Sequence, residues 1–159
     1  MFRTLSAAAL AALFALPAVA AEVTVRDAYA RSSNPKVGGA FMVLVNHGDA
    51  PVKLVEARSD AAAKVELHTH IMEDGVAKMR PVEAMEIPAQ GEHALQRGGD
   101  HVMMMGLTAP LAQGDTVALT LVFDDGEEIA VEIPVDNARQ DMGGAAHGGH
   151  AGHSTTPKN

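Results

Sequence analysis

What most restricts the fold of this chain is its punctuation. From Glu22 to about Val135, stretches rich in β-branched and apolar residues are short and are broken by Gly, Asn, Asp and Pro. Val23-Thr24-Val25, Ala40 to Val45, Lys64 to Met72, His101 to Met105, Val117 to Phe123 and Ile129 to Ile133 read as strands. Asn34-Pro35, Gly38-Gly39, Asn46-His47-Gly48-Asp49, Asp74-Gly75, Gly98-Gly99-Asp100 and Asp124-Asp125-Gly126 read as turns. That rhythm predicts an antiparallel all-β domain, a β-sandwich. Asp60-Ala61-Ala62-Ala63 is expected to form at most one short helical turn. The chain has no cysteine, so its core must hold the fold without disulfides, and its length is sufficient for that.

The two ends differ from this middle. Arg3, an apolar run from about Leu5 to Leu16 and the small residues Ala18-Val19-Ala20 describe a secretory signal peptide over residues 1–20. The run is shorter than the roughly 18 residues a membrane span needs, so cleavage before Ala21 or Glu22 is expected. No second long apolar run follows, and no membrane insertion of the mature chain is expected. The sandwich is assigned to residues 21–136. Past Pro134-Val135-Asp136 the composition turns to Gly, Ala and His, and residues 137–159 are expected to form a disordered tail. His147, His150 and His153 there stand at three-residue spacing, and three imidazoles on a floppy chain can still wrap a metal ion.

Charge and aromatic content narrow the partners. The formal net charge is −8, and removing Arg3 with the signal makes it −9. An acidic chain without a basic cluster argues against nucleic acid and anionic lipid. One Tyr, four Phe and no Trp leave few stacking platforms for sugars or bases.

Chemistry concentrates in two strand-like segments. If Asp74-Gly75 forms a two-residue hairpin turn, Glu73 faces Val76, Met72 faces Ala77 and His70 faces Met79. His68, His70, Met72 and Met79 then share one face, with His68 diagonal to Met79. In the second segment, His101, Met103 and Met105 share a face and Met104 points the other way. Thioether sulfur is soft and uncharged, and it suits Cu(I) better than zinc, calcium or magnesium. Methionine in a β-core is more often packing, the default for Met42, Met104 and Met105. His47 and His93 are read as surface or hydrogen-bonded residues.

The segments Glu66-Leu67-His68, Met72 to Val82 and Gly99 to Leu107 resemble the periplasmic copper chaperones of the PCu(A)C family. That family's signature is a His, ten residues, a Met, twenty-one residues, then His-x-Met. His68, Met79, His101 and Met103 reproduce it with both long gaps intact. Asp27 to Arg31 and Gly39 to Met42 are supporting matches, so the resemblance spans about Val23 to Val135. It implies a cupredoxin-like Greek-key β-sandwich and a Cu(I) site made by His68, Met79, His101 and Met103. It further implies a periplasmic copper chaperone delivering to the CuA centre of cytochrome c oxidase subunit II, alongside a Sco-type protein. The signature passes over His70, Met72 and Met85, which are left as neighbours or spare ligands. Some relatives carry a His/Met-rich C-terminal extension that takes Cu(II), and Met142, His147, His150 and His153 resemble one, which makes them candidate Cu(II) ligands.

A non-enzymatic, monomeric carrier is therefore expected. A blue-copper centre needs cysteine, which is absent. A copper oxidase built on an N-terminal His is not available, since neither expected mature terminus is His. No Gly-x-Ser-x-Gly elbow or His-Glu-x-x-His helix occurs. Copper scavenging and a metal-free sandwich module remain as alternatives.

Overall fold

The computed structural model describes residues 22–139. The signal peptide assigned to residues 1–20 and the candidate tail ligands Met142, His147, His150 and His153 lie outside them. The described residues form ten strands: β1 (Val23–Asn34), β2 (Val37–Asn46), β3 (Val52–Arg58), β4 (Ala62–Glu73), β5 (Val76–Pro81), β6 (Met85–Ile87), β7 (Glu92–Leu95), β8 (His101–Leu107), β9 (Thr116–Phe123) and β10 (Glu128–Pro134). No helix among them is long and apolar enough to cross a membrane.

The strands build two antiparallel sheets, as the all-β sandwich reading requires. The larger runs β1-β2-β8-β4-β5, with β7 also paired to β2, and the smaller runs β10-β9-β3-β6. β2 divides its edge: Val37 to Ala40 pair with β8, and Met42 to Val45 pair with β7. An isolated parallel bridge between Ala30 and Val135 ties the ends of the two sheets.

The period-two pattern accounts for the core. In β9, Val117, Leu119, Leu121 and Phe123 are buried and alternate with more exposed residues. Leu44, Leu54, Val102, Met104 and Ile133 join them between the sheets, and Met42 and Met104 are core packing as expected.

Some local expectations fail. Gly38-Gly39 is not a turn but lies inside β2. A side chain at Gly39 would put its Cβ 3.1 Å from the Phe41 ring, so the residue serves close packing, a recurrent reason for glycine within a strand. Asp60 and Ala61 form a turn, but Ala62 and Ala63 already belong to β4, so no helical turn forms. Strands β3, β6 and β7 were not expected. β6 and β7 are only three and four residues long, too short for alternation to register. β1 also runs on to Asn34, through an irregularity between Arg26 and Tyr29 where Asp27 has φ +54°.

The position of β8 matters most for chemistry. It lies between β2 and β4, so the face of the larger sheet turned away from the core brings residues of β2, β8, β4 and β5 side by side.

Candidate metal centre

The β4–β5 hairpin closes as its turn residues dictate. Asp74 and Gly75 have φ of +52° and +77°, the left-handed pair that a type I′ turn demands. The register is Glu73 with Val76, Met72 with Ala77, and His70 with Met79, which is the pairing expected from sequence. His68 stands opposite Pro81 and is therefore diagonal to Met79. On its other edge β4 pairs with β8, setting His68 opposite His101 and Glu66 opposite Met103. Two imidazoles and two thioethers distant in sequence thus sit on neighbouring positions of one sheet face.

A cleft of about 640 Å³ opens on that face. His70, Met79, His101 and Met103 line it, together with Gly39 and Phe41 of β2 and Arg31, Ser32, Arg97 and Gly98. His68 is not among the lining residues; its ring centroid lies 5.9 Å from that of His101, and the His70 ring is nearer, at 5.4 Å. Phe41 lines the cleft with its ring 6.0 Å from that of His101, and Tyr29 stacks behind Phe41 at 5.1 Å. Both rings come from the early segments Asp27 to Arg31 and Gly39 to Met42. Met79 is 48% exposed, whereas His101 is buried at 4%. His47 bonds to Thr24 and His93 to Asp100, and neither lines the cleft, in line with their reading as hydrogen-bonded residues.

Hydrogen bonds set the tautomers. Nδ1 of His101 and Nδ1 of His70 lie 3.0 Å and 3.1 Å from the same oxygen, the carbonyl of Gly99. A carbonyl only accepts, so both nitrogens carry hydrogen, and each neutral ring keeps its lone pair on Nε2. His68 is held the other way round. Its Nε2 lies 3.0 Å from a Glu66 carboxylate oxygen, and hydrogen bonds from Lys64 and His68 keep Glu66 below the usual carboxyl range, hence ionised. A neutral His68 ring then donates from Nε2 and keeps its lone pair on Nδ1. That Nδ1 is buried and has no hydrogen-bond partner. A buried acceptor left unsatisfied costs about 1–3 kcal/mol, which a bound cation would relieve. Carboxylate–imidazole pairs that orient a ligand in this way are common behind metal ions.

Among the described residues, no group of three or more His, Asp or Glu is arranged to hold a metal ion. The thioethers of Met79 and Met103 line the cleft beside the imidazoles of His70 and His101. That donor set fits Cu(I). The roles of the Gly99 carbonyl, the Glu66 carboxylate and the Tyr29–Phe41 stack carry no signal in the sequence, since nothing in a glycine's identity announces where its carbonyl points.

Burial holds the His101 imidazole below its ordinary value of 6.5; the Gly99 hydrogen bond opposes this, and the charges of His70 and His68 reinforce it. The unfolded chain therefore takes up this proton before the folded one does on acidification. Stability from a neutral His101 is complete above pH 6.5 and is lost as pH falls through the lowered folded value. Thermal melts of the copper-free protein between pH 7.5 and 5 should show this decline, and a His101→Asn variant should show a flatter one. Equal slopes would remove His101 as the cause.

The family model described as "Putative lipoprotein LpqE-like" matches residues 23–135. "Putative lipoprotein Lxx21020" of Leifsonia xyli subsp. xyli is 34% identical over 114 residues, 71% of this chain and 69% of that protein. The solution structure of CuI-DR1885 from Deinococcus radiodurans is 39% identical, with a TM-score of 0.58 over 72% of this chain and 79% of that one. The copper-bound PCuAC domain from PmoF2 has a TM-score of 0.61 over 75% of this chain and 96% of that domain; at 19% identity it speaks for the fold alone.

Proposed function

Since the chain belongs to the LpqE-like family, of PCuAC type, we propose that it is an exported copper carrier that holds Cu(I) through His68, Met79, His101 and Met103. The observation that carries this reading is the pairing of His68 with His101 on a sheet face that also holds Met79 and Met103. The 39% identical relative whose structure is named as the Cu(I) form supports it. Copper is the cargo, not a resident cofactor.

The donor set explains how such a carrier works in an oxidising compartment. Thioethers need no deprotonation and form no disulfides. The imidazoles bind only when neutral, and burial helps keep His101 so. An exposed Met79 on an edge strand leaves the ion approachable by the ligands of a recipient. The recipient we propose is the CuA centre of cytochrome c oxidase, with a Sco-type protein acting alongside. The compartment is the periplasm, reached after cleavage of the leader, and the carrier acts as a monomer without catalysing a reaction.

X-ray absorption on the reduced, copper-loaded protein tests the site. Two sulfur and two nitrogen neighbours are expected, and a spectrum without sulfur would exclude the thioether site. For the tail we propose a separate Cu(II) site involving Met142, His147, His150 and His153. Truncation after Val135 should lower Cu(II) stoichiometry and leave Cu(I) binding unaltered; unchanged Cu(II) stoichiometry would discount it.

A further inference from the structure

We propose that His70 is an additional copper ligand of this cleft, pre-set together with His101 by the single carbonyl of Gly99; this rests on the copper-carrier reading above. His70 falls outside the spaced His/Met signature, and only the three-dimensional arrangement brings it forward. It stands directly opposite Met79 in the hairpin register, on the same face as His68. Its ring is nearer to that of His101 than the His68 ring is, at 5.4 Å against 5.9 Å. His70 lines the cleft together with Met79, His101 and Met103.

The tautomer argument makes the assignment chemical as well as spatial. Gly99 accepts from Nδ1 of both rings, so both Nε2 lone pairs are available at once. An imidazole whose second nitrogen is anchored to a carbonyl is the usual form of a metal-binding histidine. His68 starts from a different state, engaged by Glu66 at Nε2. Before copper arrives, the donors that line the cleft are therefore His70, His101, Met79 and Met103, an N2S2 set complete without His68. His68 adds a second imidazole two positions along the same strand face. With two imidazoles on adjacent same-face positions, the ion can exchange one for the other without losing its thioethers. Such stepwise exchange is what a carrier needs in order to receive and release its cargo.

The test uses the full chain and Cu(I) itself, competed against a Cu(I) chelator, together with nitrogen NMR of labelled imidazoles in the unmutated protein. His70→Ala should weaken Cu(I) binding about tenfold or more. In the unmutated protein, Nε2 of both His70 and His101 should shift on loading while their Nδ1 atoms stay protonated. The NMR arm decides the matter if His70→Ala folds poorly. Affinity of His70→Ala within twofold of the parent, with Met79→Ala impaired, would overturn the His70 assignment and leave the carrier reading standing. So would a His70 Nε2 signal unmoved by copper while that of His101 moves. If Met79→Ala and His101→Ala both bind like the parent, the carrier reading itself fails, and the His70 assignment fails with it.

Discussion

Replacing Met79 by alanine should reduce Cu(I) affinity by about a hundredfold or more, roughly 2.7 kcal/mol, while leaving the fold intact. Met79 lies on β5, an edge strand whose residues are all exposed, and its own side chain is 48% exposed. Little core packing is lost with it, so melting temperature in the absence of copper should change by no more than a few degrees. The loss in binding comes from chemistry. The thioether is the soft donor that suits Cu(I), and alanine supplies no donor in its place. Competition titration with a Cu(I) chelator measures the effect. Affinity within a few-fold of the parent would mean that sulfur from β5 does not bind the ion.

Two adjacent methionines should show opposite behaviour. Met103 points to the cleft and Met104 is fully buried between the sheets. Met104→Ala should cost about 2–5 kcal/mol of stability, because it leaves a cavity beside residues such as Leu111 and Gly38. A fall in melting temperature on the order of 10 °C is expected. Cu(I) affinity, measured well below that temperature, should remain close to that of the parent. Met103→Ala should do the reverse, with stability within about 1 kcal/mol of the parent and Cu(I) affinity largely lost. Denaturant unfolding and chelator competition on the two variants separate the effects. If both variants lose copper equally while folded, the alternation of β8 does not govern the site.

The contrast between these two residues rests on a rule that sequence already contains. A strand turns successive side chains to opposite faces, so His101-Val102-Met103-Met104 sorts itself without any knowledge of the partner strands. The hairpin is similar. Asp74-Gly75 favours left-handed φ at both positions, and that local preference sets His70 opposite Met79. The sandwich class was legible for the same reason, since alternation and turn chemistry act over a few residues. The misread Gly38-Gly39 marks the limit of such reasoning: glycine in a strand and glycine in a turn look alike until the Phe41 ring that needs the space is known.

The amino-acid sequence by itself determined the β class, the hairpin register, the opposite faces of Met103 and Met104 and the spacing of the four candidate donors, because all of these follow from local backbone preferences or from position along the chain. Only the tertiary structure decided that β8 lies against β4 and sets His68 opposite His101, a pairing of residues more than thirty positions apart. It alone also directed the Gly99 carbonyl at two imidazoles and paired Glu66 with a third. Long-range strand pairing depends on burying the whole core at once, and the direction of a backbone carbonyl depends on the path of the chain rather than on the side chain it carries.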